Sequence, residues 1–289
     1  MTAADSADVF ERQRGALTGL AYRMLASRSE AEDVVQDAFL RWAGRKEAGV
    51  DDPRSYLAAI VTRLCLDRMK SARARREVYV GPWLPEPVVD EALDAESAGE
   101  LAHDLSVALM MALERLSPLE RAAFLLHDVF EIDFAEVAQN LGRSEAACRQ
   151  LAARARRHVR SDRPRFPANQ EEGRRLAVAF EAAARSGDAA ALTELLTADA
   201  VLYSDGGGKR PAALRPINGA EDIAHLLTSV IARGSPLAST RPAIVNGLAG
   251  FVLREQDGPV STVAFETRDG RISAIYFVRN PDKLGHVRF

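Results

Sequence analysis

The chain is poor in several things that commonly organise a protein. Its 289 residues include two cysteines, five histidines, two tryptophans and only 6% aromatic residues. Cys65 and Cys148 lie far apart with no paired histidines, which argues against a disulfide framework and a zinc site. Both read as small apolar residues of helices. No run of about eighteen apolar residues occurs, so no membrane span is expected. The opening MTAADSADVFERQRG has no basic start followed by an apolar stretch, which argues against a secretory signal. The glycine run of YSDGGGKRP lacks the strand–GxxxxGK[ST]–helix spacing of a phosphate loop. The expectation is a soluble, cytoplasmic protein with no cofactor and no bound metal.

What is present is segregated charge. The formal net charge is only −3, yet residues 63–76 carry six basic side chains and one acid. Residues 143–165 carry eight arginines and two acids, while residues 90–104 carry six acids and no lysine or arginine. Two basic blocks separated by an acidic segment suggest two separate contacts with a polyanion.

The first 160 residues have helical periodicity. SEAEDVVQDAFLRW opens with Ser29 as N-cap and Glu32 three positions on, a capping box. Ala31, Val34, Val35, Ala38, Phe39 and Trp42 then form one buried stripe. Asp33, Gln36, Asp37, Leu40 and Arg41 face away from that stripe. A leucine on an acidic outer face suits a partner surface better than water, although single surface leucines are common. A second helix starts at Asp52 as N-cap with Pro53 behind it, and buries Leu57, Ile60, Val61 and Leu64. Residues 77–104 hold three prolines in the six residues of PWLPEP and read as an interdomain linker.

Helix restarts at Ser117, with Pro118 behind it and Glu120 completing a capping box. Asp133 and Glu136 form another. The stripe Phe134, Val137, Ala138 and Leu141 ends at Gly142, and Ser144 caps a following helix. Two helices joined by a tight glycine turn form a helix-turn-helix. In its second helix Cys148, Leu151, Ala152, Ala155 and Val159 face inward. Arg149, Gln150, Ala153, Arg154, Arg156 and Arg157 face outward. Arginine can bond a guanine edge in two places, and glutamine can do the same for adenine. Small Ala153 lets the backbone approach a groove, and Arg143 and Ser144 at the turn join the same surface. Arg156, Arg157 and Arg160, further along, suit phosphates.

After residue 165 the texture changes. Residues 171–197 give two helices around SGD, and GAEDIAHLLTSVIARG gives a third. The last fifty residues alternate, with turns at NG, DGP and DG, as an antiparallel meander does. Helices followed by a sheet imply an α+β domain.

These segments resemble a known family. SEAEDVVQDAFLRW is similar to the core-polymerase-binding segment of extracytoplasmic-function (ECF) sigma factors. DPRSYLAAIVTRLCLDRMKSARARR resembles their promoter −10 element, and LSPLERAAFLLHDVFEIDFAEVAQNLGRSEAACRQLAARAR their −35-reading domain. WLPEP and NPDKL resemble the paired motifs of a subgroup with a C-terminal SnoaL-like domain, which has the cone fold of nuclear transport factor 2. The fold implied is multidomain: two all-α sigma domains, the second a helix-turn-helix, then an α+β SnoaL-like cone. The boundaries implied are 1–76 for sigma domain 2, 77–104 for the linker, 105–165 for sigma domain 4 and 171–289 for the cone.

The resemblance implies a transcription initiation factor rather than an enzyme. Glu32, Asp33, Gln36, Asp37, Leu40 and Arg41 would bind the clamp helices of polymerase β′, and the second domain the β flap. A flipped promoter base would sit under the loop 46–56. Arg63 and Asp67 match base-contacting positions, and Arg68, Lys70, Arg73, Arg75 and Arg76 suit phosphates. Aromatics for gripping a single strand are few, namely Tyr56 and Trp83. Trp83, Leu84, Pro85, Glu86 and Pro87 are expected to meet Asn280, Pro281, Asp282, Lys283 and Leu284. The last domain would thereby act as a fused regulator, with no separate anti-sigma protein required.

Two alternatives stay open on residues alone. One is a stand-alone helix-turn-helix regulator. The other is an enzyme with a DNA-binding appendage, whose pocket would hold Tyr203, Asp205, Lys209 and His225, an acid, a phenol and an imidazole that could in principle move protons.

Overall fold

The computed structural model describes residues 3–44, 50, 52–76, 79–90, 106–162, 170–233, 237–256 and 258–289. By internal contact the chain divides into two units, residues 1–78 with 108–163 and residues 79–107 with 164–289. The two basic blocks therefore belong to one unit. The proline segment belongs to the other, with the C-terminal domain, rather than standing alone as a linker.

The first unit is helical. Helix α1 (Ala3–Leu25) buries Phe10, Leu17, Leu20, Ala21 and Met24, which recur at helical spacing on one face. Helix α2 (Arg28–Ala43) packs on it through Ala31, Val34, Val35, Ala38 and Trp42, with Phe10 edge-on to Phe39 at 5.0 Å. The N-cap is Ser27 rather than the expected Ser29. Ala26 takes φ +55° and reverses the chain, so Ser27 is the first extended residue and accepts from Glu30 N. Glu32 then pairs with Arg28 at 2.9 Å instead of closing a capping box. Helix α3 (Pro53–Arg76) starts as expected, with Asp52 Oδ1 accepting from Arg54 N.

Helix α4 (Val107–Glu114) leads to α5 (Pro118–Phe124), where Ser117 and Glu120 complete the capping box. A π-helical turn, Leu125–Val129, follows. Asp133 caps α6 (Phe134–Leu141) by accepting from Glu136 N, and Ser144 caps α7 (Glu145–Asp162) by accepting from Ala147 N. Gly142 sits between them at φ +61°, ψ +43°, with open space where a Cβ would be. Gly142→Ala is therefore strained by conformation alone. It is expected to cost about 1 kcal/mol by urea denaturation, the scale of placing an L-residue in the left-handed region. Loss of the fold on this change would place the constraint elsewhere. Helix α3 also packs on α5 and α6, so both halves of the unit share a core.

The second unit is a seven-stranded sheet backed by helices α8 (Gln170–Ser186), α9 (Ala189–Leu195) and α10 (Ala220–Ala232). Strands β1 (Val89–Asp90), β2 (Leu196–Asp205), β3 (Ile217–Asn218), β4 (Leu237–Val245), β5 (Leu248–Glu255), β6 (Val260–Arg268) and β7 (Arg271–Val278) lie in the order 1-4-5-6-7-2-3. The expected meander is β4 to β7, with Phe251 opposite Val263 and Val263 opposite Phe277. Three strands escaped the sequence reading, the third being the two-residue β3, antiparallel to β2. Strand β2, parallel to β7, follows α9 with no glycine or proline stop. Strand β1 lies in the proline segment and pairs with β4. One face of the sheet packs on the helices through Leu202, Phe251, Phe265 and Ile275.

Candidate functional site

On α2 the outward side chains behave as the spacing predicts. Glu32, Asp33, Gln36 and Arg41 are exposed, and Leu40 is 60% exposed. Asp37 is half-buried, because Arg68 reaches across from α3 to bond its carboxylate at 3.0 Å and the carbonyl of Glu30 at 2.9 Å. Arg68 therefore staples α2 to α3 and is not presented as a phosphate contact, a correction to the sequence reading. Its guanidinium sits one residue off the face that carries Arg63, Asp67 and Lys70.

That face of α3 presents Tyr56, Arg63, Asp67 and Lys70 at i, i+7, i+11 and i+14, all exposed. Tyr56 leans on the Trp42 ring at 6.0 Å. Lys70 bonds Asp67 at 2.8 Å and holds its carboxyl below the usual carboxylate range. Arg63 Nε donates to the Asn140 carbonyl at 3.4 Å, and Arg54 lies over the Phe130 ring at 5.6 Å. Arg63 thus touches the end of α6. Most of the loop 46–56 before Asp52, and the side chains of Arg73, Arg75, Arg76 and Arg160, lie outside the described residues.

On α7 the inward set is buried as expected at Cys148, Ala152, Ala155 and Val159, and half-buried at Leu151. Both cysteines are buried, and burial pushes their thiols up. Arg143, Ser144, Arg149, Gln150, Ala153, Arg154 and Arg157 are all exposed. Arg149 pairs with Glu145 one turn back and lies over Phe134 at 5.2 Å, a surface arrangement worth about 0–1 kcal/mol and easily exchanged. Arg156 folds back to Asp128 at 2.6 Å and leaves the outward set.

In the second unit WLPEP and NPDKL meet around one buried carboxylate. Asp205, at the end of β2, is fully buried and accepts four hydrogen bonds. They come from the Tyr79 hydroxyl, Leu84 N at 2.9 Å, Gly207 N at 3.1 Å and Lys283 Nζ at 2.7 Å. Lys283 also donates to the Leu84 carbonyl and lies 4.3 Å from the Trp83 ring centre. Asn280 Nδ2 donates to the Tyr79 hydroxyl at 2.8 Å. Burial, then the Asp205 carboxylate, holds that phenol protonated well above its ordinary range. His286 bridges the Glu86 carboxylate at 3.1 Å and the Pro87 carbonyl at 2.8 Å. Leu84 and Leu284 are buried, and Leu84, Pro85 and Pro87 close over Thr262, Ala264 and Tyr276 with a gap of about 10 Å³. Prolines suit this role because their fixed φ leaves little chain entropy to lose on docking.

The expected pocket of Tyr203, Asp205, Lys209 and His225 does not form. Asp205 is spent in the clasp, and Lys209 pairs with Asp282 at 2.6 Å. Tyr203 stacks on Tyr276 at 5.6 Å, and His225 is exposed on α10. A separate cavity lies elsewhere in this unit, and none of the four lines it. Sequence reading also missed Tyr79 and Arg121. Tyr79 carried no signal beyond an aromatic next to prolines. Arg121 carried no signal of its own in the helix start at Ser117, and it is buried.

Among the described residues no helix is long and apolar enough to cross a membrane, and no cluster suited to a metal is present. The model for Sigma-70 region 2 matches residues 9–75, and that for Sigma-70 region 4 matches residues 106–159. The chain is 40% identical over 291 residues to the ECF RNA polymerase sigma factor SigJ of Mycobacterium tuberculosis, covering 95% of this chain and 92% of that one. It is 36% identical over 185 residues to the probable sigma factor SigI of the same species, covering 63% and 64%. The crystal structure of M. tuberculosis SigJ superimposes with a TM-score of 0.76 at 36% identity, covering 96% of this chain and 98% of that one. With a helix-turn-helix presenting arginines, an acidic helix tipped by an exposed leucine and this likeness along nearly its whole length, the chain belongs to the ECF RNA polymerase sigma factors, which bind core polymerase and direct promoter recognition.

Proposed function

We propose a division of labour within this sigma factor. The α2 face of Glu32, Asp33, Gln36, Leu40 and Arg41 docks on the β′ clamp helices, and the second sigma domain, within residues 105–165, on the β flap. Tyr56, Arg63, Asp67 and Lys70 meet the −10 element. Arg149, Gln150, Ala153 and Arg154 read the −35 bases, while Arg143, Ser144 and Arg157 hold its phosphates. The factor acts in the cytoplasm.

Residues 171–289 form a regulator fused to the same chain, which makes a separate anti-sigma protein unnecessary. The observation that carries this is the Asp205–Lys283 clasp on the backbone of Leu84. The clasped segment is the covalent connection between the two promoter-binding regions. Holding residues 79–90 removes about 40 Å of extended reach from that connection. Whether residues 280–284 are present should therefore change which promoter spacings are used. Run-off transcription with core polymerase tests it, comparing the full chain, a chain ending at residue 279 and one ending at residue 165. Equal activity and equal spacing preference in all three would remove the regulatory reading.

Polymerase and DNA contacts separate in a second experiment. Leu40 is largely exposed, so Leu40→Asp should leave the unfolding midpoint unchanged. It should abolish capture of core enzyme on a pull-down. Gln150→Ala should cost about 1–3 kcal/mol at the −35 bases in holoenzyme binding, whereas Arg157→Ala should weaken all promoters alike and flatten the salt dependence. Undiminished capture by Leu40→Asp would move the polymerase surface off α2.

A further inference from the structure

A cavity of about 440 Å³ opens between the sheet of the second unit and helices α8 and α10. That volume falls within the roughly 300–1,000 Å³ of small-molecule pockets. Its wall follows from strand periodicity. Alternate residues of β5, β6 and β7 point inward, and both apolar and polar members of those series line the space. Phe251, Phe265 and Ile275 make one end greasy. Glu255, Ser261 and Arg279 make the other end polar. Thr262 pairs with Val278, which sets Ser261 opposite Arg279 across the ladder.

The polar end has an uneven hydrogen-bond account. Glu255 is buried but fully engaged, taking Arg210 on one oxygen and Arg279 on the other. At the mouth, Glu181 is engaged by Arg185 and Thr240. Neither carboxylate is a free base. One polar group is left over. The Ser261 hydroxyl lines the space beside the engaged side chains of Glu255 and Arg279. Arg279 Nε also has no partner among the described residues, but it is shut inside the wall and does not open on the cavity. The space therefore offers one hydroxyl donor and an apolar body to fill.

We propose that this cavity binds a small, ring-bearing, mostly apolar molecule with one acceptor oxygen, as in a carboxylate, sulfonate or carbonyl group. The ring system lies against Phe251 and Phe265, and the oxygen takes the Ser261 hydroxyl. The site binds and does not catalyse, because both carboxylates are neutralised by arginines. Its position gives it a route to the clasp. Arg279 N and Asn280 N both donate to the Asp205 carbonyl, at 2.7 and 3.0 Å. This consequence rests on the regulatory reading of residues 171–289; binding itself does not, and is measured without transcription.

The test uses the full chain and two fluorescent probes, 1-anilinonaphthalene-8-sulfonate and N-phenyl-1-naphthylamine, which share a ring framework but differ in the acceptor group. The sulfonate should bind saturably, one per chain, and raise the unfolding midpoint. Ser261→Ala should weaken the sulfonate about tenfold, the scale of losing a hydrogen bond to a charged group, and leave the neutral probe within about twofold. Leu227→Trp and Ala184→Phe, which fill the cavity from α10 and α8, should each abolish both. Absence of saturable binding, or native affinity in a filled variant that keeps its unfolding midpoint, would overturn the site. So would equal weakening of both probes by Ser261→Ala, since the acceptor would then have no partner there.

Discussion

Replacing Asp205 with alanine is expected to lower the stability of the C-terminal unit by about 3–5 kcal/mol, the scale of removing one partner from a buried ion pair. The side chain is fully buried, and Lys283 is only 12% exposed at its side chain. Without the carboxylate, the Lys283 ammonium stays beside Tyr79 and Trp83 with the Leu84 carbonyl as acceptor, and Leu84 N loses its acceptor. For a unit of this size the loss corresponds to roughly 10 °C in midpoint. Trp83 reports it directly, because the ring lies against Lys283. Its emission should shift red, and the peptide bonds of residues 79–90 should become susceptible to protease. Lys283→Met should cost less, since Asp205 would keep three donors. The double variant should be less destabilised than the sum of the single ones, because each removes the charge that strands the other. A midpoint for Asp205→Ala within 2 °C of native would show that the clasp is incidental.

The second large effect is expected in the sigma half. Arg121 is 1% exposed; it donates to the Met24 carbonyl at 2.6 Å and to Glu114 at 2.7 Å. Met24 lies in the last turn of α1, where carbonyls lack helical partners and a cation is favoured by the dipole. One guanidinium thus ties the first sigma region to the start of the second. Arg121→Ala leaves a half-buried carboxylate and a helix-end carbonyl without it, and should cost about 3–5 kcal/mol. Arg121→Met with Glu114→Leu should recover much of that loss, since apolar pairs of similar volume often match a buried ion pair. The chain's two tryptophans fall one in each unit, so Trp42 in a Trp83→Phe background isolates this transition. Equal midpoints for Arg121→Ala and native would assign the contact no energetic role. The tie also bears on the proposed function, since Arg63, on the face proposed to meet the −10 element, touches Asn140 of the helix-turn-helix in the same arrangement. Loosening Arg121 should make that face easier to reach.

Local structure was legible wherever a residue type forces the backbone. The capping box at Ser117, the left-handed stop at Gly142, the cap at Ser144 and the Asn-Gly and Asp-Gly turns of the meander all stand where the sequence puts them. So do the buried stripes of α2, α3 and α7, because 3.6-residue spacing leaves an apolar face no other choice. The cap of α2 moved by two residues because Ala26 adopts a conformation that its residue type does not announce. The recognition helix was read correctly as a surface, apart from Arg156, whose partner Asp128 lies outside the local pattern.

The sequence by itself determined the helices, the helix-turn-helix, the antiparallel meander and the exposed leucine on an acidic face, since each follows from spacing within a few turns. Tertiary structure alone decided the partners of the charged residues. Asp205 looked like a pocket acid and became the anchor of a clasp, and Arg68 looked like a phosphate contact and became a staple. The physical reason is range: an apolar side chain needs only the nearest face of its own element, whereas a buried charge is fixed by a counter-charge or carbonyl that here lies dozens of residues away or more.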